Sequence, residues 1–223
     1  MIGIVIPACN EEQYLEECLH SIHLAIQALP TLSREVRVLV VLDSCTDQSL
    51  EIVQRAGVDY LQCHFCCVGK ARDLGVRHMI KSGATWIACT DADTCVDTQW
   101  LLQQLHHQPA DAICGVVEVD SWRNFSFLTR KNYLTHYQDT MNHAHIHGAN
   151  LSFSSTAYIQ AGGFKPLNCH EDIHLIKQMQ SLDLKIIWSN LVRVKTSSRL
   201  NARAPEGFAS FLHQLEMSSR VIK

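Results

Sequence analysis

The chain has 223 residues, 47% of them hydrophobic and 18% charged, a balance that builds a packed core and excludes disordered and fibrous architectures. Nineteen Lys and Arg against 22 Asp and Glu leave a formal charge of −3 with no block of like charges, so there is no broad electrostatic footprint for a nucleic-acid duplex or an anionic membrane. The longest apolar runs, at 2–6 and 36–42, fall far short of the roughly 20 residues that span a bilayer, and no basic leader follows Met1, so a cytoplasmic protein without a transmembrane segment is expected.

A β-branched run at 2–6 stops at Pro7, and Asn10 is placed to cap a helix in which Leu15, Leu19, Ile22, Ile26 and Leu29 recur at helical spacing. The apolar stretch 36–42 ends in Asp43-Ser44 and leads into a helix that Gly57 stops, followed by a short strand at 58–63. A helix is predicted over 69–82, a buried strand over 85–90, and a helix over 97–107 with Asp97 as its cap. Such alternation implies an α/β fold with a mainly parallel central sheet flanked by helices.

Beyond Pro109 the pattern loosens. It predicts a strand at 112–119, a long amphipathic helix at 125–141, a short strand at 150–153 leading to a helix around Tyr158, and a helix at 171–181. Strand-like stretches follow at 184–188 and 192–195, then a terminal amphipathic helix at 206–221 carrying Phe208, Phe211, Leu212 and Leu215. No linker or repeat intervenes, so residues 1–223 are expected to form one domain, with halves at 1–108 and 109–223. The ten cysteines are read as reduced thiols, because Cys63 and Cys66 have C-x-x-C spacing but no second pair follows to close a zinc site.

Chemistry is concentrated at predicted strand ends. Asp91-Ala92-Asp93 places two carboxylates just beyond the strand ending at Thr90, where ligands bind in open α/β sheets and where a divalent cation can bridge carboxylates to phosphate oxygens. Asp43 and the segment 7–11 occupy matching positions after two other strands. Gly69-Lys70-Ala71-Arg72-Asp73 opens a helix whose free amides and two cations suit an anion. Taken singly, each feature also reads as a capped turn or a solvated helix start.

Together, and in this order, they resemble inverting family 2 glycosyltransferases of the GT-A fold. Residues 6–12 (IPACNEE) look like that family's opening nucleotide loop, 41–47 (VLDSCTD) like its second acidic strand end, and 69–73 like its G-x-A-R-N segment. Asp91-Ala92-Asp93 is similar to the metal-binding D-x-D, Gly148-Ala149-Asn150-Leu151 to an acceptor-side strand, 161–164 (AGGF) to the G-G-F turn, and Glu171-Asp172 to the pair that contains the catalytic base.

The resemblance implies that 1–108 binds the nucleotide and 109–223 the acceptor. Pro7, Asn10, Glu11 and Asp43 would line base and ribose, with Lys70 and Arg72 near ribose or phosphate. Asp91 and Asp93 would serve a divalent cation, Mn2+ or Mg2+, and the diphosphate. Asp172 would take a proton from the acceptor hydroxyl, supported by Glu171, in one inverting displacement.

His143, His145 and His147 alternate along the chain, and His147 is the candidate third metal ligand. Arg199 and Arg203, four apart, are candidates for closing over the diphosphate. The Q-x-x-R-W signature of processive synthases is missing, which favours single transfer of a hexose from a nucleotide-sugar, a UDP-sugar first, to a small-molecule or lipid-linked acceptor. Phe208, Phe211 and Leu215 lie on one helical face that could touch a membrane peripherally, although core packing is the more ordinary use. An inactive nucleotide-sugar-binding scaffold is the alternative from another class; a nucleotidyltransferase is disfavoured because the loop after the first strand lacks a glycine-rich signature with a lysine.

Overall fold

The structure is a computed structural model that describes residues 1–30, 34–199 and 208–221. Its first half alternates strand and helix: β1 (Ile2–Ala8), α1 (Leu15–Gln27), β2 (Val36–Asp43), α2 (Ser49–Ala56), β3 (Asp59–Cys63), α3 (Val68–Lys81) and β4 (Trp86–Cys89). β5 (Thr94–Val96), α4 (Trp100–His106), β6 (Ala112–Val119), α5 (Phe127–His136), β7 (Leu151–Ser154), α6 (Ser155–Gln160), α7 (Glu171–Ser181), β8 (Ile186–Thr196) and α8 (Phe208–Val221) follow. The described strands form one sheet in the order β3-β2-β1-β4-β7-β6-β8-β5.

β1 to β4 are parallel to one another, as the βα alternation requires. β7 then runs antiparallel to both β4 and β6, β8 returns parallel to β6, and β5 is an antiparallel edge. Helices cover both faces, which is why β1 is buried along nearly its whole length instead of on alternate residues. Ile4 and Ile6 pack with Leu15, Leu19 and Ile22 of α1, Val53 of α2 and Trp100 of α4. Val5 and Val41 point the other way, to Val76 of α3, Tyr158 of α6 and Leu175 of α7. Each such large side chain contributes about 1.5–3 kcal/mol by leaving water.

Two predicted strands, at 184–188 and 192–195, are one bent strand. The β6–β8 register runs from Gly115 opposite Ser189 to Val116 opposite Arg193, so residues 190–192 bulge outward. Asn150 holds the bulge: its Nδ2 donates to the carbonyls of Val116 (2.8 Å) and Val192 (2.9 Å), while its Oδ1 accepts from Trp100 Nε1 at 2.9 Å.

Other boundaries also shift. The predicted helix 125–141 is confined to α5, where the Ser126 hydroxyl accepts from Thr129 N at 3.2 Å and caps the first turn. α4 starts at Trp100, three residues after Asp97, whose carboxylate accepts from Gln99 N at 2.8 Å. All ten cysteines are free thiols. Among the described residues, no helix is long and apolar enough to cross a membrane.

Candidate active site

β1 lies between β2 and β4, so their three carboxyl ends deliver 7–11, 43–47 and 91–93 to one edge of the sheet. β7 is antiparallel to β4, with Leu151 opposite Cys89, and so brings a 3-10 turn at Gly148–Asn150 to the same edge.

Pro7 is the half-buried penultimate residue of β1. Asn10 does not cap α1. It takes a left-handed conformation (φ 55°), and its Oδ1 accepts from the amides of Thr46 (2.7 Å) and Asp47 (3.3 Å), tying the first loop to the second. Glu12 and Asp47 reinforce the tie, since Glu12 N donates to Asp47 Oδ2 and Gln48 N to Glu12 Oε2.

Asp43 is buried at the end of β2 and spends its carboxylate inside the protein. Oδ1 accepts from Phe65 N, Cys66 N and the Ser44 hydroxyl, and Oδ2 from Cys67 N, the residue before α3. Burial opposes the charge, but these four donors outweigh it and hold the carboxyl below its usual range. Lys70, exposed on the first turn of α3, sets its ammonium 5.8 Å from the Phe65 ring centre. Gly69 beside it is required by packing: a Cβ there would lie 2.1 Å from the Lys165 carbonyl oxygen.

Arg72, one turn into α3, is only 3% exposed. Its Nε donates to Glu171 Oε1 at 2.9 Å, Nη1 to the Gly148 carbonyl at 2.8 Å, and Nη2 to Asp91 Oδ1. Gly148 sits against the guanidinium so closely that a Cβ would meet Nη2 at 2.6 Å. The Gly148 amide in turn donates to Asp172 Oδ2 at 2.6 Å, and Ile173 N to Asp172 Oδ1 at 2.7 Å. One buried cation therefore joins Asp91 to Glu171 and, through the single residue Gly148, to Asp172. Burial pushes the Glu171 and Asp172 carboxyls upward, with Arg72 pulling against it in both.

Arg199, the last described residue before 208, reaches back across the site. Its Nη1 donates to Glu11 Oε1 (3.0 Å) and Oε2 (2.9 Å), and its Nη2 pairs with Asp93 Oδ2 at 2.8 Å. Asp93 also accepts from the Ser197 hydroxyl at 3.0 Å, and Ser197 N donates to the Asp93 carbonyl. Burial raises the Asp93 carboxyl despite Arg199, and neighbouring Asp91 adds to the rise. Arg203 lies outside the described residues.

The His147 ring packs among Tyr137, His145 and Phe208. Its Nε2 lies within hydrogen-bond distance, 3.2 Å, of the Tyr137 hydroxyl, which accepts from Val117 N at 2.8 Å. Burial and the neighbouring His145 and His143 lower its pKa to about 3, leaving the ring neutral. Among the described residues, no three His, Cys, Asp or Glu side chains converge on a metal position. The carboxylates of Asp91 and Asp93 are oxygen donors of the kind that suits Mg2+ or Mn2+. Asp91 is 36% exposed and its Oδ2 accepts no hydrogen bond among the described residues, so it fits a cation directly; Asp93 fits once Arg199 moves.

The structure thus brings Arg72, Asp91, Glu171 and Asp172 into one cluster and Glu11, Asp93 and Arg199 into another. Sequence reasoning took Gly148 only as part of an acceptor-side strand and missed the linking roles of Gly148, Ser197 and Tyr137, because each acts through a backbone group or a hydroxyl that no local pattern marks.

The family profile described as glycosyl transferase family 2 matches residues 3–168. No curated protein sequence matches the chain. Among solved structures, S. aureus TarS residues 1–349 with UDP-GlcNAc is 16% identical with a TM-score of 0.70, over 99% of this chain and 65% of that one. The Pyrobaculum calidifontis mannosyltransferase PcManGT with GDP-Man and Mn2+ is 16% identical, TM-score 0.65, over 99% and 64%. Mycobacterium tuberculosis glucosyl-3-phosphoglycerate synthase with Mn2+, UDP-Glc and phosphoglyceric acid is 17% identical, TM-score 0.62, over 98% and 79%. At such identities the likeness shows the fold, that of GT-A glycosyltransferases, and the chain spans about two thirds of the TarS and PcManGT chains it matches.

Proposed function

This chain belongs to glycosyl transferase family 2, and from that premise we propose that it moves a single hexose from a nucleotide-diphosphate sugar, a UDP-sugar first, to an acceptor hydroxyl with inversion. In this reading the protein works in the cytoplasm as one domain, residues 1–108 binding the donor and 109–223 a small-molecule or lipid-linked acceptor. The supporting observation is the Arg72 frame, which holds Asp91 of the D-x-D and Asp172 on one rigid support.

A sugar hydroxyl is a poor nucleophile. Asp172 removes its proton as the oxygen attacks the anomeric carbon from the face opposite the leaving diphosphate. The Gly148 and Ile173 amides fix the carboxylate, and burial raises its basicity. Glu171 sits beside it and, paired to Arg72, supports its position. Asp91 and Asp93 would hold a divalent cation, Mn2+ or Mg2+, which would offset the charge developing on the diphosphate. Lys70, Arg199 and Arg203 add positive charge for the same phosphates, while Pro7, Asn10, Glu11 and Asp43 build the nucleoside end. Asn10 and Asp43 do so as braces of the two loops, given their internal bonds.

The test is Asp172→Asn. Transfer should fall about 10²–10⁴-fold while calorimetric affinity for the nucleotide with Mn2+ is retained. Undiminished transfer sinks the base assignment, and no binding of UDP, GDP, ADP, CDP or TDP sinks the donor reading itself.

A further inference from the structure

α5 is amphipathic the wrong way round. Only Thr129 and Tyr133 turn inward, held there by α8: Glu216 Oε2 accepts from Ser126 N at 2.8 Å and from the Thr129 hydroxyl at 2.6 Å. The phenylalanine and both leucines point outward, with Phe127 78%, Leu134 59% and Leu128 40% exposed. Positions 127, 130, 131 and 134 follow i, i+3, i+4, i+7 spacing and share one face, so exposed Arg130 and Lys131 sit between Phe127 and Leu134.

Residues 121–136 carry Arg123, Arg130 and Lys131 and no Asp or Glu, in a chain whose net charge is −3. None of these three cations has an ion-pair partner among the described residues. A helix covered only by water gains nothing from a phenylalanine and a leucine on its outer face. A helix lying in the interface of an anionic bilayer gains from both, and its cations meet lipid phosphates.

We propose that the outer face of α5, Phe127, Leu128, Arg130, Lys131 and Leu134, docks the protein on anionic phospholipid membranes. α8, whose Phe208, Phe211 and Leu215 suited that contact from sequence, buries Leu212 against the body of the protein and leaves Phe211 49% exposed. The docking face lies on the acceptor side of the molecule. α5 runs into Tyr137, which is hydrogen-bonded to His147, and the next residue, Gly148, holds Asp172.

The test is co-sedimentation with vesicles of phosphatidylcholine, with and without phosphatidylglycerol, at low and high salt. Wild type should pellet with the anionic vesicles only and less at high salt; Phe127→Ser/Leu134→Ser and Arg130→Gln/Lys131→Gln should each lower the bound fraction about tenfold. All five positions are exposed, so both double variants should keep the wild-type melting midpoint and UDP affinity, which separates docking from folding and from the donor site. Failure of wild type to bind the anionic vesicles overturns the proposal, as does wild-type binding by either double variant. So does a wild-type dimer that Phe127→Ser/Leu134→Ser dissolves without any vesicle binding, which would assign the face to a second copy of the chain.

Discussion

Arg72 and Glu171 are 99 residues apart and meet as a buried ion pair, Nε to Oε1 at 2.9 Å, with side chains 3% and 5% exposed. The pair joins the second turn of α3 to the start of α7, and because Arg72 also binds Asp91 and the Gly148 carbonyl, it fixes the separation of the two acidic motifs. A lysine carries the same charge but not the planar fork that reaches three acceptors.

Arg72→Leu should therefore lose about 3–5 kcal/mol of stability, the penalty for leaving buried carboxylates unpaired, measured by urea unfolding. Arg72→Lys should recover part of that stability and little of the transfer. If it restores transfer to near wild type, Arg72 acts as a charge and not as a positioning residue.

Asn150→Ala should cost about 2–4 kcal/mol, because three buried partners, the carbonyls of Val116 and Val192 and the Trp100 indole N–H, lose their hydrogen bonds together. Asn150→Asp should cost as much, since its added oxygen would face two carbonyl acceptors. A loss under about 0.5 kcal/mol by denaturant titration would mean that the β8 bulge is held by its own backbone.

These residues mark where the sequence is legible. β1, β2 and β4 are buried on both faces and read as apolar runs, and α3 and α7 show helical periodicity; the loops after the strands then place Asp91, Asp93 and Asp43 at one edge. β5 is three residues long and is defined only by pairing with β8, so no pattern announces it. Arg72 reads as a cation on a helix start, open to a phosphate or to a protein acid. Its burial is decided by β7 running antiparallel and delivering Gly148, a topological fact that periodicity does not carry. Asn10 fails similarly: the residue suits a helix cap, but the amides that donate to its Oδ1 lie 36 and 37 residues away in the next loop.

Asp43 sets a pH dependence. Its folded-state pKa lies below the ordinary value, so its contribution is fully present above the unfolded value of about 4 and is lost as pH falls through the lower folded value. Asp43→Asn should lower the melting midpoint at pH 7 by the equivalent of about 1–3 kcal/mol, and the gap from wild type should narrow below pH 4. A gap that stays constant down to the acid-unfolding region would show that the four donors hold the oxygen atoms without regard to charge.

Arg199 occupies the position between Glu11 and Asp93 that a second cation would compete for. One guanidinium satisfies two acids from the β1 and β4 loops, each at most about a tenth exposed, while its own buried Nε has no partner among the described residues. Removing it should leave the buried Asp93 carboxylate without its ion-pair partner, a loss of about 3–5 kcal/mol. If Asp93 is a cation ligand, Mn2+ without nucleotide should restore part of that loss, so Arg199→Ala should gain more in melting midpoint from Mn2+ than wild type does. A variant whose midpoint does not respond to Mn2+, beside a wild type that does, would remove Asp93 from the cation site and leave Asp91 as the remaining carboxylate ligand.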